Sequence, residues 1–176
     1  EDSKWFVIPK NDVDVSIRLI CLPYAGGNAS TYTRWQAFLP DQVQLIAVQP
    51  PGRANRLAES GYHNMDELIA VLYPLLLPYL DRPYIIFGHS MGGRIGYELM
   101  CKARENNHRL PMHFICSGCP APNTLKNKPP MFSKPDDEFI AYLRGLNGTP
   151  EEILQNSELM SLLLPSLRAD FELVDK

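Results

Sequence analysis

The stretch Tyr84-Ile85-Ile86-Phe87-Gly88-His89-Ser90-Met91-Gly92-Gly93 decides how this chain folds. An apolar run ends in Gly-x-Ser-x-Gly, and a helical pattern begins at once. A serine in that setting sits on a nucleophile elbow, a turn sharp enough to stand its hydroxyl clear of the sheet. Such a turn strains the backbone of the nucleophile, and its neighbours must lack side chains that would clash. Gly88 and Gly92 leave that room, and Gly93 lets the following helix pack close to the strand. The helix begins beneath the Ser90 hydroxyl, where its free N–H groups favour developing negative charge. Two glycines around a serine are common by chance. The strand before and the helix after lift this one above coincidence.

Composition narrows the rest. A chain of 176 residues fits one domain, and a domain of that size buries about 70% of its unfolded surface. Hydrophobic residues make up 45% and aromatics 10%, enough for a packed core. The net charge of −3 gives no electrostatic case for nucleic acid. Sixteen prolines predict many sharp element ends. No apolar run approaches the ~20 residues of a membrane span. The longest, around Leu75-Leu76-Leu77, is broken by Pro74 and Pro78. The chain opens Glu1-Asp2-Ser3-Lys4, without a methionine and without a basic-then-apolar leader. Four cysteines beside this much core do not read as a disulfide framework, so a reducing, cytoplasmic location is expected.

Residues 5–8 read as a short edge strand and 17–22 as a second strand. Pro23-Tyr24-Ala25-Gly26-Gly27-Asn28 ends the second, and a glycine pair straight after a strand lets the backbone swing close to a ligand. A plain strand-to-helix turn has the same composition. A helix is expected over 30–39, with Ser30 as its cap and Pro40 at its end. A buried strand follows over 43–48. Gln49-Pro50-Pro51-Gly52-Arg53 is then a rigid loop at the carboxyl end of that strand, where ligands bind in open α/β sheets. Arg53 and Arg56 there either meet an anionic substrate group or are solvated loop arginines. Asn64-Met65-Asp66-Glu67 opens a helix reaching to about 79 as a capping box, with Pro74 as a kink. The elbow strand is expected over 84–87, the elbow helix over 91–106 and the next strand over 112–116. This alternation predicts parallel strands joined by right-handed crossovers.

Cys116 and Cys119 form a C-x-x-C, but Pro120 and Pro122 follow where a redox motif would start a helix. A zinc site would need a second ligand pair that the chain does not offer. Core or loop thiols are the better reading. After Pro122 the character changes. Residues 123–135 are polar, proline-rich and basic (Lys126, Lys128, Lys134), hence a loop. Helices are expected over 136–144, behind Pro135 as first helical residue, and at Thr149-Pro150-Glu151-Glu152 as a capping box. A third, over 157–171, carries Leu159, Met160, Leu162, Leu163, Leu164 and Leu167, with Pro165 as a kink. Residues 1–122 thus read as a core and 123–176 as a helical insertion.

Four features occur in order: Pro23-Tyr24-Ala25-Gly26-Gly27, Pro50-Pro51-Gly52-Arg53, Gly88-His89-Ser90-Met91-Gly92-Gly93 and Leu167-Arg168-Ala169-Asp170-Phe171. Together they resemble the type II thioesterases of nonribosomal peptide and polyketide biosynthesis, and the likeness runs along essentially the whole chain. The combination is specific, although Gly-x-Ser-x-Gly alone is not. The resemblance implies an α/β-hydrolase fold: a mostly parallel sheet with flanking helices and a helical lid over 123–176. It implies a serine hydrolase of antibiotic or siderophore assembly lines. Such an enzyme clears acyl or aminoacyl groups from the 4'-phosphopantetheine arm of acyl or peptidyl carrier proteins. Ser90 would form an acyl-enzyme, and the backbone N–H groups of Ala25 and Met91 would hold the oxyanion. Tyr24, Gly26 and Arg53 would line the substrate site. The lid leucines Leu163, Leu164 and Leu167 either face the acyl cleft or pack on the core. No metal and no cofactor is implied beyond the arm that the partner carries, and neither nucleic acid nor membrane. Lys126, Lys128 and Lys134 either meet an acidic carrier protein or form a solvated loop. Cys119 stands where the family more often carries a basic residue.

Chain order in this fold runs serine, acid, histidine. After Ser90 only His108 and His113 remain, at the amino end of the sheet. A strand of five residues spans about 16 Å, so neither reaches Ser90. The His89 side chain should leave the turn in another direction, and His63 sits by a helix start ahead of the elbow. Asp170 and Asp175 are poorly placed for the acid, which should follow a later strand. The resemblance therefore implies that the triad acid and histidine, with the remaining core strands, lie beyond Lys176, and that these residues alone are nearly inactive. Two other readings stay open: another serine esterase or acyltransferase, and a non-catalytic carrier-binding module.

Overall fold

A computed structural model describes residues 4–11, 14–124 and 129–176. Its centre is a sheet of β1 (Phe6–Val7), β2 (Ile17–Leu22), β3 (Val43–Val48), β4 (Tyr84–His89) and β5 (His113–Ser117). The strand order is β1-β3-β2-β4-β5. β1 runs antiparallel to β3 at one edge, and every other pairing is parallel. β2 and β3 lie in the middle and are apolar almost throughout, as strands covered on both faces must be. Alternate residues divide between two cores. Ile20, Leu22, Ile46, Val48 and Ile86 face α2 (Met65–Leu76) and α3 (Met91–Glu105), while Leu19, Cys21, Leu45 and Ala47 face Ala29 and Tyr32.

Helix ends follow local chemistry, and some differ from expectation. Asn64 caps α2 as expected, its side chain accepting from the Glu67 N–H, and the helix passes through Pro74. Residues after Leu76 tighten into a 3₁₀ turn, Leu77–Tyr79. The helix expected over 30–39 is two pieces, α1 (Ser30–Thr33) and a 3₁₀ turn, Arg34–Phe38. Ser30 is not its cap, because Asn28 Oδ1 takes both the Ser30 N–H and the Ser30 hydroxyl. Pro135 precedes α4 (Asp136–Leu146) as its cap residue rather than its first helical one. Thr149 makes no capping bond, Pro150 is the cap residue, and α5 is a single turn, Glu151–Leu154. α6 (Ser157–Asp175) is capped by Asn156, which accepts from the Leu159 N–H, and it continues through Pro165.

α4, α5 and α6 form a third core of their own around Phe139, Leu143, Leu154, Met160, Leu164, Leu167 and Phe171. The far end of α6 does not stay with it: Leu173 enters the main core beside α2 and α3. The α4–α6 group therefore shares its last helix with the main core.

The elbow is where β2, β4 and α3 meet. A methyl group on Gly88 would overlap the Gly92 carbonyl, and one on Gly92 would overlap the Leu22 carbonyl. Backbone atoms cannot yield as a flexible side chain can, so both positions require glycine. Gly145, inside α4, has nothing within 4 Å of an added methyl. In thermal or urea denaturation, Gly92→Ala is expected to lower stability by roughly 2–4 kcal/mol. Gly145→Ala is expected to raise it by about 0.5–1 kcal/mol, because only the helix-propensity term remains.

Candidate active site

Ser90 sits between β4 and α3 with φ 51° and ψ −113°, a conformation costly for a residue with a side chain. Two bonds hold it there. The Ser90 N–H donates to the Ser117 carbonyl at the end of β5 (2.8 Å), and its own carbonyl accepts from the Gly93 N–H (2.9 Å). Its side chain makes no capping bond to α3, so the hydroxyl is left for other work. Met91, the first residue of α3, has no partner for its N–H within the helix.

Leu22 pairs with Gly88 in the sheet, which brings the loop after β2 alongside the elbow. Residues 24–27 form a turn in which the Gly27 N–H donates to the Tyr24 carbonyl (2.8 Å). The φ of +80° at Gly26 fits the third position of a type II turn, which favours glycine. Among the described residues no hydrogen bond uses the N–H of Ala25 or of Met91. A hydroxyl on a strained turn, one unused N–H at a helix start and one in a second loop are the parts that acyl transfer asks of a nucleophile and its oxyanion donors.

Residues 17–176 match the family of thioesterase domains. The chain belongs to that family. It is 41% identical over 169 residues to the gramicidin S biosynthesis protein GrsT of Aneurinibacillus migulanus, covering 96% of this chain and 66% of GrsT. Among solved structures, the type II thioesterase BorB of the borrelidin biosynthetic cluster superposes with a TM-score of 0.85 at 33% identity, over 98% of this chain and 70% of BorB. YbtT, a type II thioesterase of the yersiniabactin pathway, superposes at 0.81 and 31% identity, over 96% of this chain and 68% of YbtT. The fold is that of the α/β-hydrolases. This thioesterase-family chain spans about two thirds of the length of these relatives.

Arg53 is not where a substrate anion can reach it. It is 6% exposed, and all its N–H donors are engaged. Nη1 and Nη2 make a two-pronged pair with Asp170 of α6 (2.6 and 2.7 Å), Nη1 also reaches the Gly27 carbonyl (3.1 Å), and Nε and Nη2 reach the Pro51 carbonyl. Arg56 is also buried. It donates to the Gln49 carbonyl and to Glu59, and lies 4.4 Å from the centre of the Trp5 ring. Neither alternative read from the sequence holds for these arginines, since they are neither substrate-facing nor solvated. Asp170 was legible as an anomaly. It follows Leu167 by three residues on one face of a helix, and a carboxylate on an apolar face needs a buried partner.

The other expected residues divide. Tyr24 is half-buried, its ring against Gly27 and edge-on to His89 (5.9 Å). Leu164 and Leu167 are buried in the core of α4–α6, with Leu163 at its margin, so this face of α6 packs inward rather than facing an open cleft. Leu162, by contrast, is 62% exposed. Lys126 and Lys128 lie outside the described residues, and Lys134 pairs with Glu138 (3.6 Å). Among the described residues no hydrogen bond joins the Ser90 hydroxyl to an imidazole or a carboxylate. His89 turns towards the Ser117 hydroxyl (3.0 Å), His108 stacks on Tyr73, and His113 starts β5 opposite Ile85, far from Ser90. His63 pairs with Glu172 (2.7 Å) beside a polar hollow that Arg94 and Glu98 also line. Asp175 accepts the Met131 N–H.

Cys116 and Cys119 are free thiols packed against Gly93. Among the described residues no group of three or more His, Cys, Asp or Glu side chains is placed to hold a metal. Burial first, and then the neighbouring Cys116, push the Cys119 thiol up to about 11. A raised pKa keeps the thiol protonated, so only about one thousandth is thiolate at pH 8. Cys119 is expected to resist iodoacetamide at pH 8 and to react as the pH approaches 11, read by mass spectrometry.

The Arg53–Asp170 pair sets a second expectation. Asp170→Ala leaves a buried cation uncompensated and should lower stability by roughly 3–5 kcal/mol in urea denaturation. Removing both charges together, as Arg53→Met with Asp170→Leu, should cost clearly less.

Proposed function

We propose that this chain carries the nucleophile of an enzyme that hydrolyses acyl or aminoacyl thioesters on the phosphopantetheine arm of carrier proteins. The strained, uncapped Ser90, with one unused N–H at the start of α3 (Met91) and one in the loop after β2 (Ala25), is the observation that carries this reading. The Ser90 oxygen attacks the thioester carbonyl as its proton passes to an imidazole base. The oxyanion rests on the N–H groups of Ala25 and Met91, and loss of one such donor typically costs roughly 10²–10³ in rate. Collapse breaks the C–S bond and expels the arm as a thiolate, which takes the proton from the imidazolium to leave as the thiol. Water then attacks the acyl-enzyme by the same route and releases the acid. A thiol leaves with a pKa near ~8.5, so the reaction needs neither a metal nor a cofactor of the enzyme's own.

None of the four histidines of this chain is placed to be the base, and we propose that the base and its acid lie outside these residues. The carrier partner is supported by GrsT, a gramicidin S biosynthesis protein, and by YbtT, from a pathway described as nonribosomal peptide and polyketide biosynthesis. Editing of misprimed carriers in an antibiotic or siderophore assembly line is the role we propose. Among the described residues no helix is long and apolar enough to cross a membrane. Free thiols suit a reducing compartment, and we propose the cytoplasm.

The test uses the full-length natural protein with an acyl thioester on a carrier protein, beside a simple ester of the same acid. Release from the carrier is expected to be the faster reaction. Ser90→Ala should lower its kcat by on the order of 10⁴–10⁶. Faster cleavage of the simple ester would make the protein a general esterase. Carrier binding without fluorophosphonate labelling of Ser90 would make it a binding module.

A further inference from the structure

We infer that Asp170 is a positioning residue for the oxyanion loop, an inference that rests on the function proposed above. Four successive peptide units of that loop, from Tyr24–Ala25 to Gly27–Asn28, are pinned. The Tyr24 carbonyl accepts from the Gly27 N–H (2.8 Å), and across a trans peptide the Ala25 N–H must then point the opposite way. The next unit, between Ala25 and Gly26, is the middle peptide of the turn, whose reversal separates type II turns from type I. It is fixed from outside the loop, because the Gly26 N–H donates to Asp170 Oδ2 (2.8 Å). The unit after Gly27 is fixed by Arg53, whose Nη1 donates to the Gly27 carbonyl (3.1 Å). The same Nη1 holds Asp170 Oδ2 (2.6 Å), and Nη2 holds Oδ1 (2.7 Å).

One carboxylate thus ties three separate segments together: α6, the loop after β2 and the loop after β3. Shape fastens the joint that charge makes. Leu167, one turn before Asp170, fills the space over Gly26, where an added methyl would come within 2.6 Å of Leu167 Cδ2. Ser166 sits over Gly52 in the same manner, and Ala169 over Gly61. Three residues of α6 within four positions therefore dock into notches left by glycines, and Asp170 follows directly. Displacing this part of α6 must release the Gly26 N–H, so the lid helix and the oxyanion loop move together or not at all.

A merely structural Asp170 and a positioning one predict different results when the charges are already gone. Two double variants of the full-length protein separate them. Arg53→Met with Asp170→Asn keeps an oxygen to accept from the Gly26 N–H, and Arg53→Met with Asp170→Leu does not. With a short-chain acyl thioester of N-acetylcysteamine, kcat of the leucine pair should fall roughly 10–100-fold below that of the asparagine pair, with KM alike within about twofold. Equal kcat in the two pairs would overturn the positioning role. Amide hydrogen exchange at Gly26 in the unaltered protein gives a reading that needs no folded variant. Strong protection of Gly26 is expected, and exchange at the rate of an open loop would overturn the clamp. An unaltered protein that neither turns over thioester nor labels at Ser90 would instead refute the proposed function, while leaving the exchange result to judge the clamp.

Discussion

The start of α3 is pressed against backbone, and the site depends on that contact. Gly92 lies so close to the Leu22 carbonyl, and Gly88 to the Gly92 carbonyl, that no side chain fits at either position. The closeness forces a turn of a single residue between β4 and α3, and Ser90 is that residue. Its φ of 51° is the cost of the turn, offset by the Ser117 carbonyl that takes its N–H and by the apolar packing of Met91, Ile95 and Leu99 behind it. The same contact brings the loop after β2 beside the first N–H of α3. Nucleophile and amide donors are therefore consequences of one packing arrangement rather than separate inventions.

α6 joins the sheet and its helices to α4 and α5. Its first half, with α4 and α5, closes a small core around Phe139, while Leu162 on its outer side stays open to solvent. Its second half is held by the buried Arg53–Asp170 pair and by Leu173 in the main core. The halves overlap, because Leu167 and Phe171, beyond Pro165, still pack in the small core. A buried ion pair is weak evidence of stability in itself. Here it specifies register, because only one rotation of α6 brings Asp170 to Arg53 and Leu167 to Gly26.

Much of this was legible because its causes are local. The short apolar runs of the strands, the Asn64 cap and the glycine-serine-glycine turn each depend on residues a few positions apart. The Arg53–Asp170 pair was not legible, since its partners are 117 positions apart and nothing near Asp170 in the sequence names Arg53 as the cation it needs. Caps failed where neighbours competed for the same hydrogen bonds. Asn28 took the Ser30 N–H, and Pro150 replaced Thr149 at the start of a helix only one turn long. The lid leucines divided because α6 has an inner and an outer face, and only packing against α4 and α5 assigns Leu164 and Leu167 to the inner one.

A crystal structure of the full-length protein with a phosphonate bound covalently to Ser90 tests the central claim most directly. The phosphonyl oxygen should lie about 2.7–3.1 Å from the amide nitrogens of Ala25 and Met91, with the Ser90 backbone unchanged. A phosphonyl oxygen pointing to solvent, or held by other donors, would contradict the account.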